Sequence, residues 1–213
     1  MKILLGALKG RNFYMPHGIR PTPNIIRKAI FDILGQDVKG LSILELYAGS
    51  GAMGFEAISL GAKKVTFVES DPAVIQVIED NCRQLGLEEE LGIRRYEVVH
   101  ADAFFAVKQW SKTDRRFDLL FADPPYGDEP PRLSPESEIG WRKRASLASG
   151  GELAKKTLKH LTAHDILQPA CLLIIQHQKR ESLPETSGRF SLIKQRIYGS
   201  SYLSVYEARS ASS

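Results

Sequence analysis

The stretch LELYAGSGAMG, residues 44–54, reads as a strand that breaks into a glycine turn and restarts as a helix. Gly49, Gly51 and Gly54 fall in the spacing G-x-G-x-x-G. Glycine at such a turn lets the backbone bend sharply and lets a ligand approach where a Cβ would stand in the way. The helix that follows offers unpaired N–H groups at its start. The same spacing is the fingerprint of dinucleotide sites, so a nicotinamide-dependent oxidoreductase is one reading of it, and a turn that holds no ligand is another.

Around this turn the chain alternates. SILELY (42–47), KVTFVE (64–69), YEVVH (96–100), FDLLFA (117–122) and CLLIIQH (171–177) have the composition of strands. MGFEAISLG (53–61), PAVIQVIEDNCRQLG (72–86) and GELAKKTLKHL (151–161) have that of helices. Strand–helix alternation implies an α/β sandwich, with parallel strands and helices on both faces. Upstream, RPTPNIIRKAIFDILG (20–35) carries a further helix: Thr22 is the expected cap, Pro23 fits the first turn, and Ile25, Ile26, Ala29, Ile30, Ile33 and Leu34 make the apolar stripe before Gly35. The first 20 residues read as two extended pieces about Gly6–Gly10, a small hairpin. Near the C-terminus, two β-rich runs about Gly199–Ser201 read as an antiparallel pair closing the sheet edge.

Three acids narrow the ligand. Glu45 lies four residues before Gly49, Glu69 ends the second strand, and Asp102 follows the third in HADAF. A carboxylate at the end of a second strand can accept both hydroxyls of a ribose. Asp102 can accept from an exocyclic adenine amine. A carboxylate at Glu45 suits a ligand with a cationic amino-acid tail and suits a pyrophosphate poorly, because like charges repel.

The fourth strand runs into FADPPYG (121–127). Asp123 offers a carboxylate acceptor, and the carbonyl of Pro124 offers a second. Pro124 and Pro125 fix φ on successive residues and aim that carbonyl in advance. Tyr126 supplies a ring on which a flipped base can stack. Two acceptors beside an aromatic –NH₂ draw its hydrogens and favour a more tetrahedral, more nucleophilic nitrogen. The two cysteines, Cys82 and Cys171, lie far apart in apolar settings and outside any nucleophile motif. Disulfide and zinc chemistry have no support in their spacing, and carbon methylation through a thiolate is disfavoured.

Composition sets the outer bounds. The 213 residues are 43% hydrophobic and 25% charged, which suits one globular domain. No apolar run reaches the ~18 residues that span a bilayer. MKILLGALKG is too short and too soon interrupted for a secretory signal, so a cytoplasmic protein with no membrane partner is expected. Net charge is +4, and from Met1 to Ile30 the cations Lys2, Lys9, Arg11, Arg20, Arg27 and Lys28 precede the first acid, Asp32. Such a run can gather phosphates or can be a solvated face. The stretch 127–151, with Trp141 and Arg142–Lys143–Arg144, reads as a long loop that contacts nucleic acid or is a solvated insertion.

Several of these segments resemble known motifs. ELYAGSG resembles motif I of class I (Rossmann-like) S-adenosylmethionine-dependent methyltransferases, with Glu45 where Asp is commoner. VESD (68–71) and HADAF (100–104) resemble the ribose and adenine motifs of that superfamily, and Asp-Pro-Pro-Tyr its signature for exocyclic amines. The order of basic N-terminus, RPT, IRKAIFDIL, LELYAGSGAMGFEAISLGAKKVTFVESD, FDLLFADPPYG and YGSSYLSVYEAR resembles the RsmD family over nearly the whole chain. That resemblance implies a methyltransferase acting on guanine-N2 in the 16S rRNA of the small ribosomal subunit, free or assembling. It implies S-adenosyl-L-methionine as cofactor, held by Glu45, Tyr47, Ala48, Gly49, Ser50, Gly51, Glu69, Ser70, Asp102 and Ala103. Asp123, Pro124, Pro125 and Tyr126 become the catalytic segment, and Lys9, Arg11, Arg20 and Thr22 the RNA contacts. Residues 1–21 become a basic β-hairpin extension and 22–213 the methyltransferase domain, acting as a monomer without a metal. A DNA adenine-N6 methyltransferase and a non-catalytic cofactor-binding assembly module are the alternatives. The first usually needs a larger recognition domain, and an intact Asp123–Tyr126 argues against the second.

Overall fold

The computed structural model describes residues 1–19, 21–35, 37–87, 94–126 and 152–209. Its centre is an eight-stranded sheet in the order β3-β2-β1-β4-β5-β8-β7-β6. Strands β1 (Ser42–Leu46), β2 (Lys64–Glu69), β3 (Tyr96–His100), β4 (Phe117–Ala122) and β5 (Leu167–Gln178) run parallel. Strands β6 (Thr186–Ser187), β7 (Phe190–Tyr198) and β8 (Ser201–Ala208) complete one edge antiparallel. The mostly parallel sheet with an antiparallel C-terminal edge is the architecture expected from the alternation; β6 is an addition. β5 begins four residues earlier than CLLIIQH suggests, and a register break between Phe117 and Leu119 of β4 absorbs the extra length.

Period-two alternation divides the core into two layers. Ile43, Val65, Phe67, Leu119, Phe121 and Ile174 face helices α1 (Asn24–Leu34), α2 (Ala52–Ser59) and α3 (Pro72–Gln84). Leu44, Leu46, Val68, Leu120, Leu173 and Ile175 face helices α4 (Ala103–Trp110) and α5 (Leu153–Ala163). Strands buried on both faces are near-continuous in apolar residues for this reason. Helix α4 was not among the expected elements: its short AFFAVKQW run leaves Phe105 exposed and gives no clean stripe.

Caps follow local chemistry. The Asp71 side chain accepts from Ala73 N at 2.8 Å at the start of α3, with Pro72 at the first helical position. Asp102 accepts from Phe105 N at 3.0 Å at the start of α4. The expected Thr22 cap is corrected: α1 begins after Pro23, and no side chain caps it. Pro23 itself takes the cap position, with a helical φ of −56° but an extended ψ of 144°, so the helix starts one residue later than expected.

The N-terminal hairpin is reduced to one antiparallel bridge, Lys2 with Asn12, and to short bonds such as Ile3 N to Arg11 O at 2.9 Å. It is bound to the body. Ile3 and Phe13 are buried, the Phe13 ring meets Phe55 edge-on at 5.5 Å, and Glu56 of α2 accepts from the N–H groups of Leu4 and Leu5.

Candidate functional site

In the order β3-β2-β1-β4-β5 the chain reverses direction of winding between β1 and β4, and the C-terminal ends of those strands flank a crevice. A cavity of about 960 Å³ opens there. Its floor is Glu45 with the turn Tyr47–Ser50; one wall is Glu69–Val74, and another is Asp123–Tyr126. Thr22, just before α1, and Ile25 and Ile26 within it close one side, and Gln176 with Tyr198–Ser201 closes the side toward the antiparallel edge.

The turn is held in detail. Tyr47 has φ +57°, the one positive value at a non-glycine among the described residues, followed by Gly49 at +53° and Gly51 at +73°. Such a backbone costs of order 1–3 kcal/mol at a residue bearing a Cβ, and it concentrates at working sites. The Tyr47 hydroxyl is tied to Thr157 Oγ1 of α5 at 2.9 Å, and burial pushes its pKa up. Gly54 is required by contact: an added Cβ would stand 2.2 Å from Phe67 Cε1 and 2.7 Å from Glu45 Oε2.

Glu45 is buried beneath the turn. Its Oε2 accepts from Gly54 N at 2.8 Å and its Oε1 from Met53 N at 3.3 Å, so it also fastens the start of α2. Burial pushes its pKa up to about 8, against the two N–H bonds, and the nearby Asp123 and Glu69 push the same way. Glu69 joins the second strand to the turn, its Oε2 accepting from Gly49 N at 3.1 Å and its Oε1 from Ser70 N at 2.6 Å and Asp71 N at 3.1 Å. Four acidic side chains, Glu45, Glu69, Asp71 and Asp123, line the cavity, which suits a cationic ligand and disfavours a pyrophosphate.

Asp123 is half-buried and Pro124 is buried at the end of β4. Tyr126 has partners that the sequence gives no hint of. Gln176 Nε2 donates to its hydroxyl at 3.2 Å, and Ser201 Oγ stands 3.0 Å from the same atom. Gln176 and Ser201 lie in strand patterns indistinguishable from ordinary sheet residues, and only the pairing of β5 with β8 brings both to Tyr126.

Other named residues lie elsewhere. Gly51, Asp102 and Ala103 do not line the cavity; Asp102 is exposed and caps α4. Lys9 is exposed, while the Arg11 guanidinium donates to Leu85 O at 2.7 Å and Gln84 O at 2.8 Å at the end of α3. Thr22 faces the cavity, and Arg20, Trp141 and Arg142–Lys143–Arg144 lie outside the described residues. Arg27 is corrected outright as a phosphate collector: it is buried, with Nη1 2.8 Å from Glu56 Oε1. Cys82 and Cys171 are buried, with thiols pushed up to about 12 and about 11, mainly by burial, and neither lines the cavity.

Residues 1–134 match the model of the family described as conserved hypothetical protein 95. YlbH of Bacillus subtilis is 26% identical over 98% of this chain and 100% of its own. Ribosomal RNA small subunit methyltransferase D of Haemophilus influenzae is 27% identical over 93% of this chain and 89% of its own. The solved structure of yhhF from Escherichia coli superposes with a TM-score of 0.74, covering 99% of this chain and 98% of that one at 23% identity.

Proposed function

The chain belongs to the RsmD family, whose model is described as conserved hypothetical protein 95, and from that premise we propose that it methylates the exocyclic N2 of a guanine in 16S rRNA of the small ribosomal subunit, using S-adenosylmethionine. The observation that carries this reading is the shared cavity: the glycine turn with Glu45 and Glu69, and the Asp123–Tyr126 segment, line the same 960 Å³. Bound S-adenosylmethionine supplies an activated methyl group on a sulfonium. Glu45 and Glu69 are the residues to hold its ammonium and ribose hydroxyls, while Tyr47, Ala48, Gly49, Ser50 and Ser70 form the wall it lies against. Asp102 and Ala103, at the start of α4, lie outside the cavity lining, so the adenine contact expected of them rests on the family resemblance alone. The name of the Haemophilus relative supports ribosomal RNA as the substrate. Action as a monomer, in the cytoplasm where ribosomes are assembled, belongs to the same reading.

The rest of the chemistry is positioning. Asp123 accepts one hydrogen of the amine and the Pro124 carbonyl accepts the other, so the nitrogen lone pair is turned out of conjugation. The amine becomes acidic only as the new bond forms, so Asp123 need be no strong base to take the proton late. Tyr126 walls the base, its ring fixed by Gln176 and Ser201. Gln176→Leu is expected to lower kcat about tenfold with cofactor affinity unchanged, and adding Ser201→Ala to lower it less than proportionally, since both act on one hydroxyl. Single-turnover kinetics checks this; full activity in the double variant refutes the tether.

Glu45 gives a pH signature. At about 8, its carboxyl holds a proton near neutrality when no cation is bound, and an ammonium beside it draws the pKa down. Binding of S-adenosylhomocysteine at pH ~7 is therefore expected to release about one proton, and affinity to rise as pH climbs toward 8. Calorimetry in buffers of different ionisation heat reads this directly; Glu45→Gln should abolish the buffer dependence, and its absence in the wild type refutes the assignment. Stability has the opposite sign. The raised pKa contributes stability below the ordinary 4.5 that is lost as pH rises through about 8.

The same calorimetry tests the function, because S-adenosylhomocysteine should bind and NAD should not. Labelled methyl groups should pass to rRNA from cells lacking the protein and not to duplex DNA. The reverse of either result overturns the reading.

A further inference from the structure

We propose that the outer strand β7 is the surface along which the RNA flanking the target base lies, its phosphates meeting Lys194 and Arg196. The inference rests on the methyl-transfer reading above and names where its polyanionic substrate docks.

β7 is covered on one side only. β8 pairs along its whole length, whereas the two-residue β6 reaches only Phe190 and Ser191. Beyond Leu192, whose N–H donates to Glu185 O at 2.7 Å, the outer edge from Ile193 to Tyr198 has no strand partner among the described residues, and residues 193–197 are all exposed, on both faces of the sheet. Register fixes where the cations stand. Tyr198 pairs with Ser201, Arg196 with Leu203 and Lys194 with Val205, and directly paired residues share a face. Tyr198, Ser201 and Leu203 line the cavity. Arg196 and Lys194 therefore continue the cavity wall outward, about 7 and 13 Å along the strand from Tyr198. Lys179, also exposed, donates its N–H to Ser200 O at 3.0 Å and so adds a cation beside the hairpin tip.

Charge complementarity selects the occupant. Lys179, Lys194 and Arg196 make no ion pair among the described residues, and the acid on their face of β8, Glu207, lies opposite Ser191 at the far end. The N-terminal cations are differently engaged: Arg27 is buried against Glu56, and Arg11 is bonded to the last carbonyls of α3. Cations without ion pairs among the described residues, on a strand edge that leads to a cavity read as taking an exocyclic amine, fit a nucleic-acid backbone. Edge lysines and arginines also serve to stop strands from adding to one another, and that role makes a different forecast.

The test is the double variant Lys194→Ala/Arg196→Ala, titrated with an unmethylated small-subunit rRNA fragment at several salt concentrations. The slope of log affinity against log salt should fall by about 1.5 to 2, because two phosphate contacts are lost. KM for RNA should rise about tenfold, with kcat and S-adenosylhomocysteine affinity within about twofold. If the wild type methylates the fragment and the variant keeps its slope and KM, the strip is refuted while methyl transfer stands; new self-association without a change in slope refutes it equally, by assigning the cations to edge protection. A wild type that binds the fragment with the expected slope change but methylates nothing refutes the methyl-transfer reading and leaves the strip standing.

Discussion

Asp123→Ala is expected to lower kcat for methyl transfer by about 10³-fold, roughly 4 kcal/mol of transition-state stabilisation, while S-adenosylhomocysteine affinity changes less than a few-fold. The expectation follows from what the amine needs. Its lone pair is delocalised into the ring, and the acceptor that turns it outward acts chiefly once the nitrogen begins to pyramidalise. Asp123 ends β4 half-buried, on a backbone stiffened by two prolines. Asp123→Asn keeps one acceptor but can place an N–H against the amine, so it should retain more activity than Asp123→Ala and still fall about 10²-fold. A second readout separates loss of an acceptor from general damage. Asp123 helps to hold the Glu45 pKa up, so removing it should shrink the proton release on cofactor binding at pH ~7. Full turnover in Asp123→Ala refutes the role.

The second large effect is on folding. Glu56→Ala is expected to destabilise the protein by about 3–5 kcal/mol in urea unfolding, because it strands a buried guanidinium. Glu56 accepts from Leu4 N, Leu5 N and Arg27 Nη1 at 2.9, 3.1 and 2.8 Å, respectively. Burial pushes Arg27 down and Glu56 up, each toward its neutral form, and each partner pulls the other back. The guanidinium also donates to Lys2 O at 3.1 Å and Asn24 Oδ1 at 2.6 Å, but its Nε finds no hydrogen-bond partner among the described residues, and Glu56 supplies its one anionic partner there. Removing the pair together, as Arg27→Met/Glu56→Met, should recover much of the loss, leaving two amides of the N-terminal segment to find new acceptors. A Glu56→Ala protein within about 1 kcal/mol of wild type contradicts this account. Against a typical total of about 5–15 kcal/mol, the variant should be largely unfolded at temperatures the parent survives.

The same ion pair shows where the sequence stops informing. Arg27 sits in a run of six cations, and one-dimensional charge counting reads it as solvent-facing; only the packing of α1 on α2 shows that it points inward. Asp102 carries two meanings at once, a ligand acceptor in HADAF and a helix cap, and the short helix it caps has too little periodicity to declare itself. Gln176 and Ser201 are remote in sequence from Tyr126, and their role arises from an antiparallel pairing whose register no local pattern states. Thr22 looks like a cap because threonine is a good one, yet Pro23 displaces the helix start by a residue. By contrast, the strand–glycine–helix turn and the Asp-Pro-Pro-Tyr end of β4 are legible in advance. In both, the backbone needs glycine or proline for steric reasons, and the chemistry is read from residues adjacent in sequence.

The central claim is that this cavity presents a cationic methyl donor to an exocyclic base nitrogen held by Asp123 and Pro124. Its most direct test is the identity of the product. Small-subunit rRNA from cells lacking the protein, incubated with the purified chain and labelled S-adenosylmethionine and then digested to nucleosides, should carry the label in N2-methylguanosine. Label in a ring-carbon methyl group, or none in any nucleoside while S-adenosylhomocysteine still binds, would contradict it.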